Sequence, residues 1–393
     1  MHALVRPEDA EKTRRALDAE RLLDLRSRAF RTQDGWIALP LSCAAETAHD
    51  SSGKHEALLC WCGTSLPVAE LHPPEHCMGR GPRAALITAC GKALAGGTPH
   101  LVAAILNPKD FPRRWEKVGD IVMFAPTGLF DESTEAGAAF KHAPSLVRSK
   151  LLKTIATALG ARCLGIQSRI DQSLKRKSTA RLIWPEETMD GWTQHRENGI
   201  IYGLDVTRSM FSSGNGTEKA RVASFPCAGE TVVDLYAGIG YFSLAYLVHA
   251  GVAHLHACEW DEDALIALRS NLKANGVADR CTVHPGDNAT SLPAFRRTAH
   301  RVNLGLIPSS EAGWPTAVAA LRSDGGMLHV HANVCTDDEV EWTALLVERI
   351  RNLAAMEGHD WEVRQQHVER VKWYAPKIRH VVVDVSCTLR TNT

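Results

Sequence analysis

The residues of this 393-residue chain whose types and spacing bear most directly on chemistry are two glycines and three polar side chains downstream of them. Gly238 and Gly240, in "VVDLYAGIGYF", close a run that reads as a buried strand and open one that reads as a helix. At such a junction the backbone can turn sharply and approach a ligand closely. A dinucleotide fingerprint continues G-x-G-x-x-G/A, with a small third position for helix–strand packing. Here that position is Ser243, after the bulky Tyr241 and Phe242. Glu259 ends the next strand-like run, 19 positions after Gly240. An acidic side chain at that spacing accepts hydrogen bonds from both hydroxyls of a ribose. Asp287-Asn288 ends the third run, where a carboxylate beside an amide can meet an adenine amino group and ring nitrogen. The competing role for that pair is turn formation after Pro285-Gly286. An adenosine with no pyrophosphate to cradle fits this set, and S-adenosyl-L-methionine, as a co-substrate, is such a ligand.

These residues need a sheet to hold them. From Ala228 onward, strand-like runs ("TVVDLYAG", "AHLHACEW", "CTVHPGDN", "RVNLGLIP", "GMLHVHANV") alternate with helical ones, and "WEVRQQHVERV" and "HVVVDVSC" follow. That rhythm predicts an α/β fold, a doubly wound parallel sheet with ligands at the carboxyl ends of its strands. The short link from "KWYAP" to "HVVVDV" predicts an antiparallel pair at one edge, giving a class I methyltransferase-like sheet with an antiparallel edge strand. A smaller α+β domain is expected before it. "KVGDIVMF" reads as a turn and strand, "SLVRSKLLKTIATALG" as a capped helix ending at Gly160, and Asn198-Gly199 as a hairpin turn. The first 110 residues are expected to be partly irregular. A helix is predicted in "EDAEKTRRALDAERLLDLRSR" and a strand in "DGWIALPLSC", whereas residues 44–100 show no sustained period. The expected division is 1–110, 111–200 and 201–393, the last being the cofactor-binding catalytic domain.

Lys plus Arg and Asp plus Glu both number 45, so no polybasic character marks the whole chain. The excess is local. Between Pro112 and Arg181 there are 13 Lys/Arg against 6 Asp/Glu, a balance of 13 − 6 = +7, densest at Lys175, Arg176 and Lys177. That is the kind of face that meets phosphates, with a solvated loop as its plain alternative. None of the eleven cysteines forms a C-x-x-C pair, so no metal site is expected. No apolar run is long enough for a membrane span. A monomer in the reducing cytoplasm is the expectation.

"DLYAGIGYFSL", "HACEWDEDALIALRSNLKANGVADRC", "GDN", "GLIPSSEAGWP", "VKWYAP…HVVVDV" and the upstream "MFSSGNGTEKARVAS" resemble the wybutosine-synthesizing family within the superfamily of tRNA guanosine-37 N1-methyltransferases. The likeness is dense over residues 197–326 and 368–387 and thinner over the basic module. It implies a transferase acting on tRNA-Phe. The group moved would be the 3-amino-3-carboxypropyl arm of S-adenosyl-L-methionine. The acceptor would be C7 of the tricyclic base derived from guanosine 37, and methylthioadenosine would leave. The resemblance also implies that Ser212 and Lys219 touch the cofactor together with Gly238, Glu259, Asp287 and Asn288. Lys219 would pair with the methionine carboxylate.

No protein nucleophile is needed for such a transfer, so no catalytic residue is assigned. What decides the group transferred is which carbon of the sulfonium lies in line with the acceptor. Many enzymes that methylate base nitrogens place Asn or Asp before a Pro at the end of the fourth strand. Here the strand ends Gly305-Leu306-Ile307-Pro308, with no side chain to grip a guanine edge. His329 and His331 alternate on one strand face, where a core role is expected over a general base. Tyr374 is placed to stack on a flipped base or to pack at the edge.

Overall fold

The computed structural model describes residues 82–167, 178–185, 190–211 and 213–390, and the backbone of six short strands before residue 70. Two compact units emerge, Met1–Ala85 and Leu86–Thr393. In the first, β1 (His2–Val5), β2 (Phe30–Arg31), β3 (Ile37–Pro40) and β6 (Val68–Ala69) form a sheet in the order β2-β3-β1-β6, while β4 (Leu58–Leu59) pairs with β5 (Ser65–Leu66). β3 is the strand expected in "DGWIALPLSC". The helix expected before it lies outside the described residues, as do Lys175, Arg176, Lys177 and Ser212.

The second unit begins within a helix that the sequence reading missed. Residues 44–100 showed no period, yet α1 spans Pro82–Ala93, and α2 (Pro99–Ile105) follows. Pro82 begins α1, where a missing N–H costs nothing. Only Leu86 and Cys90 are buried along it, so its inward stripe is too narrow to show as a repeat. Both join a core under a four-stranded sheet, β10-β9-β8-β7, made of β7 (Trp115–Val118), β8 (Ile121–Phe124), β9 (Cys163–Ile166) and β10 (Arg181–Trp184). Two further helices cover that sheet, α3 (Glu135–His142) and α4 (Ser145–Leu159). α4 buries Leu151, Leu152, Ile155 and Ala156 on one face. It stops at Gly160, which takes the left-handed conformation expected of a helix-ending glycine. At its start Pro144, not Ser145, holds the capping position, and no side chain caps it.

β11 (Trp192–Glu197) and β12 (Ile200–Asp205) form a hairpin through Asn198 (φ +48°) and Gly199 (φ +76°), the turn read from the sequence. The larger sheet follows, with strands β13 (Thr231–Asp234), β14 (His254–Glu259), β15 (Cys281–Pro285), β16 (Arg301–Leu304), β17 (Gly325–Cys335), β18 (Trp361–Ala375) and β19 (Ile378–Leu389). Their order is β15-β14-β13-β16-β17-β19-β18. The first five run parallel, and β19 inserts antiparallel between β17 and β18. The antiparallel edge pair expected from the sequence is therefore present.

Strand side chains alternate between two buried faces. Val232 joins a core with Leu244 of α6 (Ser243–Val248) and Leu268 of α7 (Glu262–Ala274). Val233 joins another with Ala317 of α9 (Trp314–Ala320) and Ile350 of α10 (Glu339–Met356). Two short helices complete the unit, α5 (Gly216–Ala223) on the Val232 side and α8 (Asn288–Ser291) after β15.

Candidate functional site

Strand order reverses between β13 and β16, and a cavity of about 710 Å³ opens there at the carboxyl ends of the strands. Gly238, Glu259, Asp287, Asn288 and Gly305 all border it. The turn after β13 is fixed from beneath. Asp234, fully buried, accepts hydrogen bonds from Ser243 Oγ (2.7 Å), Asn303 Nδ2 (3.0 Å) and the Tyr236 N–H (3.4 Å). Burial pushes the Asp234 carboxyl above its ordinary range, and these donors pull the other way. The residue that departs from the dinucleotide pattern, Ser243, thus ties the helix start to the strand end. Gly238 and Gly240 take positive φ (+56° and +99°), and a Cβ on Gly240 would press on Leu244 and Leu268 at 3.1 Å.

Glu259 is held by the backbone. Its Oε2 accepts from the Gly238 N–H at 2.7 Å, and its Oε1 from the N–H groups of Trp260 (2.9 Å) and Asp261 (2.8 Å). Burial raises its pKa, and the three amides offset part of the rise. Oε1 is filled by its two amides, whereas Oε2 keeps a second lone pair for a hydroxyl donor. The carboxylate is therefore oriented before any ligand arrives. Asp261 caps α7 by accepting from the Ala264 N–H (3.0 Å), which leaves Glu259 to the cavity as the sequence reading had it. Asp287 borders the cavity and caps α8, its Oδ1 accepting from the Ala289 N–H at 2.8 Å. Asn288 Nδ2 donates to the Leu235 carbonyl at 3.3 Å.

Lys219 is not brought into this group. It is 4% exposed, its ammonium pairs with Glu197, and it lies 5.1 Å and 5.0 Å from the ring centres of Tyr202 and Phe211. Phe211 itself borders the cavity. The next residues of α5 anchor the segment. Arg221 donates to Glu218 (2.8 Å from both Nε and Nη2) and to Asp384 on β19 (2.6 Å). His329 Nδ1 meets the other Asp384 oxygen at 2.6 Å, and His331 Nδ1 meets His380 Nε2 at 3.1 Å. Both histidines are buried and outside the cavity lining, in the core role expected for them.

The sequence reading missed four features. Asn271 of α7 ties the hairpin to the glycine turn, accepting from the Gly203 N–H (2.6 Å) and donating to the carbonyls of Gly203 (3.0 Å) and Ile239 (2.9 Å). Trp260, 42% exposed, walls the cavity beside Glu259. Lys372 of β18 also borders the cavity, as does Glu116 of β7. A long-range hydrogen bond and a residue contributed by another sheet leave no local pattern. Gly305 sits at the end of β16, where a Cβ would press on the Phe242 ring at 3.1 Å. Among the described residues no group of three or more His, Cys, Asp or Glu is placed to hold a metal ion, and no helix is long and apolar enough to cross a membrane.

The chemistry of this lining fits S-adenosylmethionine. It offers a pre-oriented carboxylate for a ribose, an Asp-Asn pair for an adenine, and close backbone at Gly238. Residues 193–363 match the family described as the TRM5/TYW2 methyltransferase domain. The chain is 46% identical over 296 residues to tRNA wybutosine-synthesizing protein 2/3/4 of Oryza sativa subsp. japonica. That match takes in 73% of this chain and spans only 27% of the rice protein. It is 34% identical over 430 residues to the tRNA wybutosine-synthesizing protein 2 homolog of Homo sapiens, covering 96% of this chain and 92% of that one. The fold matches that of P. horikoshii TYW2 in complex with MeSAdo, with a TM-score of 0.58 and 25% identity over 77% of this chain and all of that one. With its sheet order, the polar lining of its cavity and its near full-length likeness to the human relative, the chain belongs to the tRNA wybutosine-synthesizing protein 2 family.

Proposed function

We propose that this protein transfers the 3-amino-3-carboxypropyl group of S-adenosylmethionine to C7 of the tricyclic modified base at position 37 of tRNA-Phe, a step of wybutosine synthesis. One observation carries the donor half: Glu259, fixed by three backbone amides, faces the cavity beside Gly238 and the Asp287-Asn288 pair. Bound there, the sulfonium supplies an electrophilic carbon at Cγ of its methionine arm. Glu259 takes the ribose, Asp287 and Asn288 take the adenine edge, and Phe211 and Phe242 exclude water from the arm. Ser212 and Lys219 complete the grip on that arm, with Lys219 turning from Glu197 to the methionine carboxylate.

The acceptor half rests on Gly305. Residues 305–308 carry no amide or carboxylate side chain to hold a guanine N1 edge, the Asn303 amide beside them is tied to buried Asp234, and the missing Cβ leaves room beside Phe242. Tyr374, 52% exposed at the cavity edge, stacks on the flipped base. The basic charge of Lys175, Arg176 and Lys177 serves to attract the tRNA backbone. The enzyme acts as a monomer, and its place is the cytoplasm, where the free thiols of all seven described cysteines stay reduced.

The test uses S-adenosylmethionine labelled on the methyl in one sample and on the methionine carboxyl in another, with hypomodified tRNA-Phe. Label from the carboxyl enters the tRNA. Label arriving only from the methyl sinks the proposal in favour of a methyltransferase.

A further inference from the structure

The cavity has four carboxylates in its described lining: Glu116, Glu259, Asp261 and Asp287. Three of them accept backbone N–H groups in the adenosine half, as described above. Glu116 differs. It comes from β7 in the smaller sheet, and its Oε1 is closed off from water with no hydrogen-bond partner. A shielded oxygen without a donor weakens the fold, so its retention calls for a use. It caps no helix.

Its position indicates the use. Glu116, Gln167 and Phe211 border both the main cavity and a second one of about 450 Å³, lined also by Trp115 and His195. Gly238, Glu259 and Asp287 border only the main cavity. Glu116 therefore stands where the donor cavity continues into a space flanked by aromatic rings and an amide, groups suited to a nucleobase.

We propose that Glu116 is a catalytic residue on the acceptor side, receiving first the positive charge and then the proton of the acceptor ring. This rests on the transfer reaction proposed above. In that reaction the ring's π electrons form the bond to Cγ. The Cγ–S bond breaks, and its electron pair stays on sulfur as the neutral thioether leaves. Positive charge thus moves from the sulfur to the acceptor ring, which then loses the proton of its substituted carbon. A carboxylate beside the ring is worth more in the transition state than in the ground state, because the charge arrives there only during the reaction. The same oxygen accepts the proton, and the resulting neutral acid returns it to water.

The experiment compares the full-length wild type, Glu116→Gln and Glu116→Ala with hypomodified tRNA-Phe at saturating S-adenosylmethionine. Cofactor affinity is measured by calorimetry and folding by thermal melting. Glu116→Gln keeps the shape and loses the charge. Its turnover falls about 100-fold or more, the scale of a lost general base or charge stabiliser, while the cofactor Kd moves less than about 3-fold. Added formate restores part of the turnover of Glu116→Ala. Turnover of Glu116→Gln within about 5-fold of wild type overturns the proposal. So does a defect that high S-adenosylmethionine erases, which would make Glu116 a partner of the methionine ammonium, and so does a complete failure of formate rescue. A wild type that transfers no carboxypropyl label removes the parent reading instead, and this inference with it.

Discussion

Three histidines of the β17–β19 pair make the fold labile to mild acid. His329, His331 and His380 are each 1% exposed. Burial pushes all three below the ordinary imidazole range. At His329 the Asp384 carboxylate opposes the fall, and at His331 the neighbouring His380 deepens it. At His380 the charge of Lys372 adds to burial and brings the value from 6.5 to about 4. A histidine depressed in the folded state is neutral there and charged in the unfolded chain below pH 6.5. Its contribution is therefore complete above that pH and is lost as pH falls toward the folded value. For His380 the span from 6.5 to about 4 is worth about 3 kcal/mol, of which about 2 kcal/mol is gone by pH 5. His329 and His331 add loss of the same sign. Since whole folds are stable by only about 5–15 kcal/mol, the urea midpoint, followed by tryptophan fluorescence, drops markedly between pH 7.5 and pH 5. In His380→Gln the slope of stability against pH shrinks by about 1.4 kcal/mol per pH unit over the lower part of that range, below pH 6.5. An unchanged midpoint in the wild type, or an unchanged slope in the variant, would refute the assignment of neutral buried imidazoles.

Two further outcomes follow from the same geometry. Arg221→Met leaves Glu218, fully buried, and Asp384 without their shared cation, and stability measured by urea unfolding falls by about 3–5 kcal/mol; a loss under about 1 kcal/mol would show that the clamp is dispensable. Glu259→Gln keeps the size but loses the charge that meets the ribose, and the calorimetric Kd for S-adenosylmethionine rises at least about 10-fold, with an unchanged Kd counting against the ribose role.

That Gly238, Glu259, Asp287 and Asn288 border one cavity was legible because each is announced by its own neighbours. A glycine pair after a strand, an acid at the next strand end and Asp-Asn after the third are local patterns, and a parallel sheet follows from the alternation of strand and helix periods. Lys219 shows the limit of such reading. Its place in "GNGTEK" was plain, but its pairing with Glu197 joins residues 22 apart through a hairpin whose packing on α5 has no local signal. α1 was missed for a related reason. Helices announce themselves by an apolar stripe, and α1 buries only Leu86 and Cys90. His329 and His331 were placed on one strand face correctly, whereas their partners Asp384 and His380 come from the strand inserted antiparallel beside them.

The two ends of the cavity are built on different physical terms. At the adenosine end every described carboxylate is fixed by backbone N–H groups, and Asp234, Ser243 and Asn303 lock the turn beneath. Such a site is set before the ligand binds, so binding costs little ordering and selects the nucleoside whatever group is to be moved. At the other end the lining is side chains from separate elements: Glu116 from the smaller sheet, Phe211 before α5, Lys372 and Tyr374 from β18, and the bare backbone of Gly305. Changing a residue there leaves the nucleoside grip untouched but shifts the acceptor relative to the sulfonium. A shift of about 1 Å is enough to change which carbon lies in line. In the transfer proposed above, the choice between methyl and carboxypropyl therefore resides in residues that the cofactor motifs do not include.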